Sequence, residues 1–80
     1  MPRSEPPPDW VLTRRRAIGE RIRTVRVAAR LTQQQVAERI DMDRATYNRI
    51  EQGHAAALLD SLILIASALD VPLSYLVREP

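Results

Sequence analysis

Cysteine is absent from the 80-residue chain, so neither a disulfide framework nor a thiolate zinc site can brace it. A reducing, cytosolic compartment agrees with that absence. Lysine is missing as well, and every basic side chain is arginine. The planar arginine fork bonds phosphates and guanines bidentately, although a GC-rich coding sequence gives the same bias with no function attached. No run of about 18 apolar residues is present to cross a bilayer. The most apolar stretch, Leu58 to Leu69, is short and broken by Asp60. The N-terminus opens on Pro, Arg, Ser and Glu rather than an apolar segment, so no secretory signal is expected. A single histidine, no clustered carboxylates and no phosphate-binding glycine loop argue against catalysis. The expectation is a non-enzymatic chain with no metal, no cofactor and no evident small-molecule ligand.

What is present is unevenly placed. The net charge is only +2, yet residues 13–54 hold ten arginines against five acids, and the segments on either side are each net negative. Positive charge concentrated in one stretch is the pattern of a polyanion-binding face. Eighty residues imply one domain with a core so small that every apolar position counts.

Residues 1–12, with Pro2, Pro6, Pro7 and Pro8, are expected to form a flexible tail ahead of a domain over 13–80. Trp10, Val11 and Leu12 either fold back on the domain or cover a partner. Asp9 and Thr13 are alternative caps for a first helix from about Arg14 to Ala29, in which Ile18, Ile22, Val25 and Ala29 form an inward stripe. Thr32 with Gln35 makes a capping box for a second helix, Gln33 to Ile40, with Val36, Ala37 and Ile40 inward. Asp43 caps a third, Arg44 to Gln52, and Gly53 follows where a left-handed residue is wanted. Asp41 is the expected hinge between these two helices, and Met42 plugs the gap. A fourth helix, Leu59 to Leu69, turns Leu59, Leu62, Ile63, Ala66 and Leu69 to one face. A short fifth runs from Pro72 to Val77, where Leu73, Leu76 and Tyr75 close the core. The fold class is all-α with five helices.

The third helix carries the functional signal. At about 100° per residue, Tyr47 and Ile50 point one way. Ala45, Asn48, Arg49 and Gln52 spread around the opposite direction, with Arg44 at the edge. These side chains match base edges: Arg to guanine O6 and N7, Asn or Gln to adenine N6 and N7, an Ala methyl to the thymine methyl. A solvated helix face has a similar composition, but a preceding helix and a tight turn complete a helix-turn-helix layout.

From about Ile18 to Leu76 the chain resembles a Cro/repressor-type, XRE-like helix-turn-helix domain. The matching elements, in order and at family spacing, are "IGERIRTVR", "LTQQQVAERI", "YNRIEQG" and "ALDVPLSYL". The resemblance implies a lambda-repressor-like five-helix domain in the cytoplasm of a prokaryote or phage. It also implies DNA binding through the third helix, transcriptional regulation of the repressor kind and a symmetric dimer on double-stranded DNA. It places Arg44, Ala45, Asn48 and Arg49 at base edges, Gln33 on a phosphate, and Arg26 with Glu51 in an internal ion pair. Thr32, Gln52, Arg30 and Arg39 are further phosphate candidates, and Tyr47 falls at a buried position. Asp41 stands where the family has glycine, which implies some strain. "HAAALL" departs from the family's basic-then-proline loop, which leaves phosphate contacts there, including one from His54, unsupported.

Arg14, Arg15 and Arg16 either hold flanking phosphate or form a solvated helix end, and Arg23 has the same status. Leu58 and Leu64 exceed what one core face needs, and with the end of the fifth helix, Tyr75 included, they are expected to form a two-fold interface. Among regulators, a self-regulating restriction–modification controller and an antitoxin-like repressor both fit. The competing classes are a protein-interaction module that keeps the fold but reads no DNA, and an amphipathic peptide on a membrane surface.

Overall fold

The structure is a computed structural model that describes residues 6–79. Residues 1–5 of the expected tail, and Pro80, lie outside the described residues. The elements are α1 (Asp9–Ala28), α2 (Gln33–Arg39), α3 (Arg44–Glu51), α4 (Leu59–Ala68) and α5 (Leu73–Val77), with no strand among the described residues. α3 packs against both α1 and α2, α2 also touches α4, and α5 closes against α4 and α1.

α1 starts earlier than its hydrophobic period suggests. The Pro8 carbonyl accepts from the amides of Val11 and Leu12 at 3.0 and 3.2 Å, and no side chain caps this end. Asp9 is therefore the first helical residue rather than a cap, and its charge favours the helix N-terminus. Thr13 lies inside the helix. The extra turn half-buries Val11 and Leu12, while Trp10 stays 71% exposed. Val11 lines an apolar groove of about 290 Å³ with Ile18, Ile50, Leu62 and the Ala55–Ala57 loop.

Four helices end alike. At α1, α2, α3 and α4 the residue after the cap has positive φ: Arg30 at 60°, Asp41 at 54°, Gly53 at 73° and Asp70 at 57°. The next amide reaches back to close a Schellman motif: Leu31 to Arg26 O, Met42 to Ala37 O, His54 to Arg49 O, Val71 to Ala66 O. Leu31, Met42 and Val71 then pack against the core, so each stop also plants an apolar side chain. Only one of the four is glycine; the others carry the left-handed conformation at some cost.

The core consists of Ile22, Val36, Ala37, Tyr47, Ile50, Ile65, Ala66, Leu69 and Leu76, with Ile18, Val25, Ile40, Met42, Leu62 and Leu73 packed on it. Four expected core positions are corrected. Ala29 is exposed, because α1 has already ended and the left-handed Arg30 turns the chain away. Leu59 and Ile63 are exposed, because α4 turns Leu62, Ile65, Ala66 and Leu69 inward instead. Tyr75 lies outside the core, 39% exposed, with the guanidinium groups of Arg21 and Arg78 over its ring.

Candidate nucleic-acid interface

The second and third helices are each started by a side chain. Thr32 Oγ1 accepts from the Gln35 amide at 3.1 Å, and Gln35 Oε1 accepts from the Thr32 amide at 2.8 Å, a complete capping box. Asp43 opens α3 by accepting from the Thr46 amide at 3.0 Å and from the Thr46 hydroxyl at 2.6 Å. The hydroxyl and the amide together hold its carboxyl below the usual carboxylate range. A negative group at the tip of α3 is thereby tied to the helix rather than left facing a polyanion.

Tyr47 and Ile50 anchor α3 from behind, and Arg44, Ala45, Arg49 and Gln52 are exposed on its other side. Asn48 is half-buried between them. Both arginines are exposed among the described residues, so the face that the sequence assigns to base edges is open there. Its width suits a groove, since the only apolar member is a methyl group.

Beneath this face runs a chain of side chains that joins three helices. Arg26 Nε donates to Glu51 Oε2 at 2.6 Å, Arg26 Nη2 donates to Glu51 Oε1 at 3.1 Å, and Arg26 Nη1 donates to the Leu31 carbonyl at 2.9 Å. The expected ion pair therefore also fastens the end of α1. Gln33 Nε2 donates to Glu51 Oε1 at 3.1 Å and to Asn48 Oδ1 at 2.8 Å. Burial pushes the Glu51 carboxyl up, but the Arg26 guanidinium, the neighbouring Tyr47 hydroxyl and the Gln33 amide outweigh it and hold the group below its ordinary value. The Tyr47 hydroxyl is buried beside this pair without a hydrogen-bond partner of full geometry; burial and the Glu51 carboxylate raise its pKa.

The other expected phosphate residues divide. Arg30, Thr32, Gln33 and Arg44 line one shallow hollow, together with Gln34 and Arg26. Gln52, Asn48 and Gln33 line a second, whose far wall is Arg16 and Arg23 of α1. Arg16 and Arg23 thus sit beside the face although sequence reasoning left them undecided; their seven-residue spacing, two helical turns, was the available signal. Arg39 donates to the Ala68 carbonyl at the end of α4 at 3.3 Å and lines neither hollow. Arg14 is also occupied, donating to the Val77 carbonyl at 2.9 Å, and Arg15 lines the apolar groove behind α1. Because α1 begins at Asp9, these arginines lie beyond its first turn and do not form the helix end.

The expected interface residues Leu58 and Leu64 are exposed, Leu58 by 72%, as are Leu59 and Ile63 of α4.

A short second helix, a four-residue turn and a third helix that offers arginines to solvent define a helix-turn-helix DNA-binding domain. A family model described as a helix-turn-helix, HTH_3, matches residues 22–76, more than half of the chain. The chain belongs to this family, the XRE-type helix-turn-helix DNA-binding transcription regulators. Among solved structures it is similar to the restriction-modification controller protein C.AhdI from Aeromonas hydrophila. That likeness has 30% identity and a TM-score of 0.74, and it covers 76% of this chain and 92% of the other. It also shares its fold with the hypothetical transcription factor NHTF from Neisseria, with 24% identity and a TM-score of 0.79 over 100% of this chain and 90% of the other. No match is found among curated protein sequences.

Proposed function

We propose that this protein is a sequence-specific regulator of transcription that binds a palindromic operator as a homodimer, with α3 in the major groove. The observation that carries the reading is the exposure of Arg44, Ala45 and Arg49 on a helix whose other side, Tyr47 and Ile50, is locked in the core. Arg44 and Arg49 contact guanine edges, Ala45 a thymine methyl, and Asn48 a base beside them. The main-chain amides of the first turn of α2, at Gln33 and Gln34, meet a phosphate. This assignment moves the phosphate role of Gln33 from its side chain to its backbone, because both side-chain amide hydrogens already have acceptors. Arg30, Thr32 and Gln52 supply further backbone contacts, with Arg16 and Arg23 added.

The dimer uses the α4 patch of Leu58, Leu59, Ile63 and Leu64, with Tyr75 at its margin. Two-fold symmetry then sets the reading helices about 34 Å apart on successive major grooves. The likeness to a restriction-modification controller favours self-regulation of a neighbouring operon as the setting.

Selection from a random DNA library, followed by footprinting, tests the reading. A palindromic consensus with two protected major-groove segments one helical turn apart is the expected result. Recovery of no consensus sequence rejects it.

A further inference from the structure

The chain from Arg26 to Asn48 fixes which atoms Asn48 has left to offer. The two ends of a carboxamide are close in shape, and which end points where follows from the hydrogen-bond partners. Here the partners leave one solution. Glu51, paired to Arg26 through both oxygens, only accepts. The atom of Gln33 that faces it must therefore be the nitrogen; the reverse orientation sets an oxygen lone pair against a carboxylate. That nitrogen also faces Asn48 at 2.8 Å, so the facing atom of Asn48 must be its oxygen. Covalent geometry then directs Asn48 Nδ2 away from Gln33.

We infer that Asn48 is a donor-only specificity residue, which reads a base acceptor in the major groove and does not discriminate adenine from guanine. The usual Asn–adenine pair needs the oxygen to accept from N6 while the nitrogen donates to N7. In this protein one lone pair of the oxygen is held by Gln33 of α2, which turns the oxygen toward that helix and leaves the donor half to face the groove. Adenine and guanine both present N7 and thymine presents O4, whereas cytosine presents only its N4 donor. Asn48 therefore rejects cytosine and tolerates purines alike. Gln33, remote from the bases, sets this choice through its amide orientation, and Arg26 and Glu51 set it for Gln33.

The inference rests on the DNA reading proposed above, and the experiment separates the two. An operator is first selected with the wild-type chain, and the position read by Asn48 is located as the one where Asn48→Ala loses discrimination. At that position the wild-type protein is titrated against duplexes that carry adenine, guanine, 7-deazaadenine or cytosine. Adenine and guanine should bind within about threefold of each other, while 7-deazaadenine and cytosine bind about tenfold more weakly, the scale of a lost base contact. A preference for adenine over guanine of about tenfold or more overturns the inference and leaves the regulator reading intact. So does an Asn48→Ala variant with unaltered discrimination at every position. In Gln33→Leu, which frees the Asn48 oxygen, an adenine preference should emerge; the wild-type titration decides the matter if that variant does not fold. Failure to select any operator removes both readings together.

Discussion

Gly19 on α1 lies against the main chain of Glu51 on α3, so close that a Cβ on Gly19 would stand 2.3 Å from the Glu51 carbonyl oxygen and 2.6 Å from that of Ile50. The neighbours are backbone atoms at the end of a helix and cannot swing aside. This approach brings α1 near enough for Arg26, two turns further on, to reach Glu51 through both Nε and Nη2. Gly19→Ala is expected to force the helices apart and lower unfolding stability by ~1–3 kcal/mol, measured by urea denaturation. Unchanged stability would show that the close approach is not needed.

The ion pair itself is nearly out of water, with side-chain exposures of 12% for Arg26 and 2% for Glu51. Arg26→Ala strands a carboxylate there and is expected to cost ~3–5 kcal/mol. A loss below about 1 kcal/mol, the range of an exposed pair, would contradict the buried geometry.

The same pair predicts an acid limb. The Glu51 carboxyl titrates below its ordinary value of 4.5 in the folded protein, so the unfolded chain takes up its proton first. Its contribution is complete above that ordinary value and fades as pH falls through the depressed folded one. Denaturation midpoints measured from pH 7 downward should show the wild type losing its margin over Glu51→Gln in that window. A constant difference between the two would place the pH dependence elsewhere.

Asp70 holds a φ of 57° at the end of α4, remote from the arginine face. Asp70→Gly relieves the strain of a left-handed L-residue and is expected to raise stability by up to ~1 kcal/mol. Thermal melting reads the gain, and a lower melting temperature would mean that the aspartate side chain does more than tolerate the turn.

On DNA, Arg49→Ala should weaken specific binding by ~1–3 kcal/mol and relax preference at one base position. Arg23→Ala should instead weaken all sequences alike and flatten the salt dependence, as loss of a phosphate contact does. Binding isotherms at several salt concentrations on specific and scrambled duplexes separate the two patterns.

Leu58→Asp with Leu64→Asp places charge on the apolar patch of α4. Sedimentation at micromolar concentration should then find a monomer where the wild type is a dimer. A wild-type chain that is monomeric both with and without DNA removes the proposed interface.

Local chemistry made much of the helical frame legible. Thr32 with Gln35, Asp43 with Thr46, and the left-handed stops at Asp41 and Gly53 are interactions within a few residues, and they fall where the sequence places them. The inward side of α3 was equally plain, because Tyr47 and Ile50 are the apolar members of a helix that is otherwise almost entirely polar. α4 was not plain. With leucine or isoleucine at 58, 59, 62, 63, 64 and 65, two neighbouring faces satisfy the same 3.6-residue period, and only the direction from which α2 and α5 arrive selects Ile65 over Leu59 and Ile63.

The sequence by itself determined five helices, the stops at Asp41 and Gly53, and which side of α3 meets solvent, because caps, turns and amphipathic period act between residues close in the chain. Tertiary structure decided which arginines are free and which are spent on carbonyls of α4 and α5. It also decided that Gly19 must be bare, and that Gln33 turns its nitrogen toward Glu51 and Asn48. Those facts depend on distances between segments 15 or more residues apart, and no local pattern encodes a distance that packing alone creates.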